Sequence, residues 1–154
     1  MPVYLIRPMT PKTSQSGLVS VQYPINLGYL AAYLKAHNIS CVVRDFEVEA
    51  FVRDEFLASI KQANPRIVGF SCMTPHIKNG AMLAKILKTH FPDILTVVGG
   101  VHGSAIPEQT LHEFPEFDVV VMGEGEQTLV ELYGSYLNNR MEYVLGIAYR
   151  MGEN

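Results

Sequence analysis

The chain has 154 residues, 48% hydrophobic and 18% charged, which suits one compact domain that buries roughly 68–70% of its unfolded surface. A formal charge of −3 and the absence of a Lys/Arg stripe exclude a nucleic-acid module, and no apolar run approaches the length of a membrane span. The opening MPVYLIRP is broken by Arg7 and Pro8 too early for a signal peptide, so a cytoplasmic protein is expected. Cys41 and Cys72 fall on separate predicted strands without CxxC or CxxxCxxC spacing; they read as buried thiols, with neither zinc nor an iron–sulfur cluster indicated.

In chain order, residues 3–7 form the first strand, followed by PMTPKTSQSGLVSVQ, residues 8–22, a loop far longer than the usual strand-to-helix connection. The first helix opens near Pro24, carries Leu27, Leu30, Ala31 and Leu34 on its core face, and stops at His37 and Asn38, where Asn38 can take a left-handed cap. Of Tyr23, Tyr29 and Tyr33, the two on that helix, Tyr29 and Tyr33, read as packing residues more than stacking platforms. Residues 40–46 form the second strand, and Val48, Phe51, Val52, Phe56 and Ile60 make the stripe of a second helix that ends before Pro65.

The third strand covers residues 67 to 72 or 73, after which Thr74 and Pro75 offer an N-cap and a first helical residue. Ile77, Ala81, Ala84 and Leu87 or Lys88 then recur at helical spacing until Phe91 and Pro92. ILTVVGGVHGS, residues 94–104, is a continuous apolar run ending in glycines. It reads as a strand buried on both faces whose end lets another group approach the backbone. A short helix covers 107–113, a fifth strand 117–122, a further helix carries Leu129, Leu132, Tyr133 and Leu137, and a sixth strand spans 144–149.

Strands alternating with helices of this length imply right-handed βαβ units. The expected fold is α/β, a three-layer sandwich with a mainly parallel sheet of five or six strands in the order 2-1-3-4-5, and ligands at the carboxyl ends of the strands. The four most irregular segments, 8–22, 72–76, 99–104 and 123–126, then share one edge.

PINLGYLAAYLKAHN (24–38), VGFSCMT (68–74), VVGGVHGSAIPEQTL (97–111) and DVVVMGEGEQTLVEL (118–132) together resemble the cobalamin-binding domain that precedes the catalytic core in cobalamin-dependent radical S-adenosylmethionine (SAM) enzymes. The resemblance implies a Rossmann-like, flavodoxin-type fold, cobalamin as cofactor, and a vitamin B12-binding module with no catalytic residue of its own. The parent protein would be a methyl-transferring or related radical enzyme. Residues 1–140 are then the cobalamin-binding domain, and 141–154 the last strand and the start of a connection to a C-terminal radical SAM domain, the partner that holds S-adenosylmethionine and a 4Fe–4S cluster.

Ser71, Cys72 and Met73 resemble the Ser-x-Leu element of the wider cobalamin-binding group, whose serine helps hold the buried nucleotide tail, with Met73 in the place of leucine. Gly99 and Gly100 resemble its Gly-Gly element. The Asp-x-His-x-x-Gly signature after the first strand is absent, and Arg7, Pro8, Met9, Thr10 and Pro11 stand there instead. In the radical-enzyme branch this implies base-off cobalamin with no protein histidine on cobalt; it is also what a domain that has lost the cofactor would show.

A corrin needs a platform of backbone groups and small side chains more than a charged pocket. The expected cofactor-binding set follows the four segments: Thr10 and Thr13, with Ser14 and Ser16 beside them; Ser71, Met73, Thr74 and His76; Gly99, Gly100, Val101 and His102; and Gly123, Glu124 and Gly125. His76 and His102 are the only histidines placed to ligate cobalt, but the plainer reading, a helix-start or rim histidine, is preferred, so no metal site is assigned. His37, His90 and His112 are expected in solvent. Glu124 and Glu126 precede a helix, where its dipole explains them without catalysis, through capping or amide contacts. Gly123-x-Gly125 before Thr128 is half a dinucleotide fingerprint, after the wrong strand. Two other classes stay open: a flavodoxin-like FMN carrier, from the Ser/Thr-rich loop, and a cofactor-free docking domain, from the missing histidine motif.

Overall fold

The structure, a computed structural model, describes residues 1–11, 22–138 and 140–150, apart from the side chain of Leu137. Its strands are β1 (Val3–Arg7), β2 (Cys41–Asp45), β3 (Ile67–Ser71), β4 (Leu95–Gly99), β5 (Val119–Val121) and β6 (Ile147–Tyr149). Its helices are α1 (Ile25–Ala36), α2 (Arg53–Ala63), α3 (Ile77–His90), α4 (Val101–Ala105), α5 (Pro107–Glu113) and α6 (Glu126–Leu137), with 3-10 turns at Thr74–His76 and Met141–Tyr143.

The sheet runs β2-β1-β3-β4-β5-β6. The first five strands pair in parallel in the expected order, and β6 adds an antiparallel edge, Val121 opposite Ile147 and Val119 opposite Tyr149. β1, β3, β4 and β5 are covered on both faces, which is why VYLIR, IVGFS, LTVVG and VVV show no polar alternation. Successive side chains still divide between two cores. Tyr4, Ile6, Val68 and Phe70 face a layer holding Phe56 and Ile60 of α2, Leu83 and Leu87 of α3, and Leu111 of α5. Val3, Leu5, Val97 and Val121 face Leu27 and Leu34 of α1 and Leu129 and Leu132 of α6. Arg150 fastens the end of β6, donating to the carbonyls of Phe117 at 2.8 Å and Leu111 at 2.5 Å.

Four expectations are corrected. The second helix starts at Arg53; Val48 and Val52 are exposed, and Phe51 lies outside the helix in edge-on contact with Phe46, centroids 5.5 Å apart. Thr74 and Pro75 do not cap α3 but form the 3-10 turn that leads into it. α4 begins directly after Gly100, where a loop was expected. Tyr29 is exposed, because the α1 face that packs is the one bearing Leu27 and Leu34. Cys72 is buried as expected, while Cys41, on the edge strand, is half-buried. Asn38 takes the left-handed conformation, φ 59°. Among the described residues no helix is long and apolar enough to cross a membrane.

The hydrogen-bond ladder continues past the ends of β3 and β4: Cys72 N–H donates to Gly99 O at 2.9 Å, and His102 N–H to Cys72 O at 3.2 Å. This draws the Cys72 backbone against Gly100, whose φ of 93° and ψ of −174° only glycine adopts readily. A Cβ there would stand 2.8 Å from the Cys72 carbonyl oxygen. Gly100→Ala is therefore expected to lower unfolding free energy by about 2 kcal/mol or more, read from urea midpoints.

Candidate functional site

At the carboxyl edge of the sheet, α1 and α6 lean together over β1, β3, β4 and β5 and leave a cleft of about 600 Å³. The space exists because the strands beneath it carry small residues in register: Gly69 is paired with Val97, and Ser71 with Gly99. Leu5, Gly69, Val97 and Val121 form the floor, Leu27, Leu30 and Leu129 the walls. The upper rim is polar or backbone, from Asn26, Ser71, Gly99, Gly100, Val101, Ser104 and residues 123–126.

A Cβ on Gly99 would meet nothing closer than Val121 O at 3.7 Å, so this glycine leaves room in the cleft without being required by the fold. Two hydrogen bonds tie the rim together. Asn26 Nδ2 donates to Ser71 Oγ at 2.5 Å, across from α1 to β3, and Gly123 N–H donates to Ser104 Oγ at 3.0 Å, joining the turn after β5 to α4. Glu126 lies in the first turn of α6, where the dipole favours a carboxylate, although no side chain caps that helix.

The structure thus gathers Ser71, Gly99, Gly100, Val101, Gly123, Glu124 and Gly125 around one cleft. Thr13, Ser14 and Ser16 lie outside the described residues. The other expected site residues do not line the cleft. Thr10 donates through both its N–H and its hydroxyl to Glu47 Oε1. Where the missing histidine signature would start, Arg7 makes a two-pronged bond to Asp45, Nε to Oδ1 at 2.7 Å and Nη2 to Oδ2 at 2.6 Å, and a third to Gln22 O at 2.7 Å. Met73 and Thr74 are exposed on the turn after β3.

His76, the N-cap of α3, and His102, the second residue of α4, stand at helix starts as the plainer reading expected, and both are buried, 4% and 9% exposed. Met73 N–H donates to His76 Nδ1 at 3.3 Å, and His76 Nε2 lies 3.5 Å from Glu47 Oε1. Burial, with a smaller contribution from Arg7, depresses the His76 pKa below its ordinary value even though Glu47 and Asp45 oppose that shift. His102 Nδ1 is 3.3 Å from Thr74 Oγ1, and its Nε2 is buried without a partner among the described residues. His37, His90 and His112 are exposed, and no group of three or more His, Cys, Asp or Glu side chains is arranged to hold a metal among the described residues.

Sequence reasoning missed Gly69, Asn26 and Ser104. Gly69 carried a signal: a glycine inside an apolar strand, two residues before Ser71 and so on the same face. Asn26 and Ser104 acquire their roles only through partners far along the chain.

A family model described as the B12 binding domain matches residues 18–133. Among curated proteins, the chain is 37% identical over 132 residues to an anaerobic magnesium-protoporphyrin IX monomethyl ester cyclase of Rubrivivax gelatinosus, covering 82% of this chain and 24% of that protein. It is 26% identical over 136 residues to the cobalamin-dependent radical SAM methyltransferase TokK of Streptomyces tokunonensis, covering 84% of this chain and 19% of that one. Among solved structures, the radical S-adenosylmethionine methyltransferase TsrM from Kitasatospora setae superposes with a TM-score of 0.82 at 18% identity, over 97% of this chain and 28% of that one. The chain thus spans a quarter or less of the curated relatives named here.

A histidine held neutral in the fold contributes stability that is present above its unfolded pKa and lost as pH falls through that value toward the lower folded one. Urea midpoints of the parent and of His76→Asn should differ by a constant amount above about pH 7 and approach each other as pH drops below about 6.5.

Proposed function

We propose, from the premise that this chain belongs to the B12-binding domain family, that the cleft between α1 and α6 holds the nucleotide tail of a cobalamin and presents its corrin at the carboxyl edge of the sheet. The observation that carries this is the pairing of Ser71 with Gly99 at the head of an apolar slot, where the missing Cβ leaves space and a hydroxyl stands beside it. The slot is apolar below and hydrogen-bonding above, which suits a flat heteroaromatic base carried on a polar linker. Val101 and the backbone of 123–125 offer the rim against which an amide-bearing macrocycle would rest.

Bound there, cobalamin would supply a cobalt centre able to carry an alkyl group or change oxidation state, chemistry no side chain of this chain provides. The protein's part is to bind, orient and exclude water. Cobalt carries no protein histidine in this reading: His76 is engaged by Met73 and Glu47, His102 by Thr74, and neither lines the cleft. The cofactor is then held base-off. Its reaction partner would be a radical SAM domain on the same polypeptide, holding S-adenosylmethionine and a 4Fe–4S cluster, with residues 1–140 as the corrinoid domain and the segment after them as the lead into that partner. The small share of the relatives' length that the chain covers, and the likeness to TokK, a cobalamin-dependent radical SAM methyltransferase, support this. The family match favours a corrinoid over the flavin or empty-domain alternatives.

Incubation with hydroxocobalamin and removal of free ligand should leave corrin bands of base-off shape, whereas a parallel FMN incubation should leave no flavin. Gly99→Val, whose γ carbons would enter the slot, should weaken retention by about tenfold or more while the urea midpoint stays close to the parent's. His76→Ala and His102→Ala should leave the bound spectrum unchanged; retained flavin alone, or loss of the base-off spectrum in either histidine variant, would defeat the corresponding part of the reading.

A further inference from the structure

A serine hydroxyl has one proton to give and two lone pairs to receive. At Ser71 one lone pair is taken by Asn26, whose Nδ2 donates at 2.5 Å and, being a pure donor, cannot accept the serine's proton in return. Among the described residues no other side chain bonds to Ser71 Oγ, and both Asn26 and Ser71 line the cleft. We infer that Asn26 is a positioning residue: by occupying the acceptor side of Ser71 it turns the serine proton into the cleft, so that the ligand atom met there is a hydrogen-bond acceptor.

The inference rests on the cleft being the corrinoid site. Asn26 and Ser71 are 45 residues apart and on different elements, so the bond also fixes the α1 wall against the end of β3. A hydroxyl that accepts from an amide is polarised and donates more strongly, which favours a ring nitrogen, a carbonyl or a phosphate oxygen as the partner. A cobalamin carries such acceptors on its nucleotide tail and on the amides of its corrin rim, and binding can tell the two apart.

Asn26→Asp separates orientation from scaffolding. A carboxylate is isosteric but can only accept, so it captures the Ser71 proton and reverses the bond. In the first turn of α1 a negative charge is favourable to the helix, so the fold should be no less stable. Spectral titration with hydroxocobalamin should show affinity falling by about threefold in Asn26→Ala and by about tenfold or more in Asn26→Asp, the reverse of their order in helix stability. In a Ser71→Ala background Asn26→Asp should change affinity by less than about twofold, because there is no proton left to redirect. Repulsion between the new carboxylate and a ligand phosphate would persist in that background, so an undiminished loss there overturns the inference, as does an Asn26→Asp variant that binds like the parent. Repeating the titration with cobinamide, which lacks the nucleotide, assigns the acceptor to the tail if the Asn26→Asp loss vanishes and to the corrin rim if it remains. A parent chain that retains no corrin overturns the proposed function itself, a failure visible before any variant is made.

Discussion

The close approach of two backbones at Gly100 organises the functional edge of this molecule. Because the Cys72 amide and carbonyl both continue the ladder beyond the strands, the end of β3 is held against the end of β4, and a residue with a side chain has no place between them. The chain must then turn sharply, and α4 starts at once. Ser71 and Gly99 are left side by side at the head of the cleft, while His102, the second residue of α4, turns away from it toward Thr74 and Phe114. Two adjacent glycines thus do different work. Gly100 permits a backbone contact, and Gly99 keeps a volume empty.

The sheet accordingly separates two chemistries. In front lies an apolar slot with a thin polar rim. Away from its lining, Arg7, Asp45, Glu47 and Thr10 form a connected set of charge-assisted bonds at the ends of β1 and β2, with His76 Nε2 3.5 Å from Glu47 Oε1. That set occupies the region where the wider cobalamin-binding group places its histidine signature, and its groups are committed to one another. Paired charges of this kind fix geometry more surely than they add stability.

Much of the architecture was legible because each parallel strand is written as an apolar run and each helix by its stripe: β1 and α5 coincide with the expected bounds, and Ile77, Ala81, Ala84 and Leu87 of α3 are all buried. The start of α2 was not, since Phe51 is as apolar as a helix-stripe residue yet spends its ring on Phe46 from outside the helix. α4 escaped notice because five residues containing a glycine offer no periodicity. At the site, glycines and serine could be read from strand ends, whereas Asn26 and the burial of both histidines depend on partners supplied by other elements. Glu47 in particular has no local feature that announces His76.

The reversed direction of β6 decides on which side of the sheet the chain leaves it. β5 climbs toward the rim and β6 descends beside it, so at Tyr149 the polypeptide is heading for the opposite side of the sheet, with Arg150 latched to Phe117 and Leu111. Chain leaving this edge therefore starts from the side of the sheet away from the cleft, and recrossing the roughly 16 Å height of a strand would take about five extended residues.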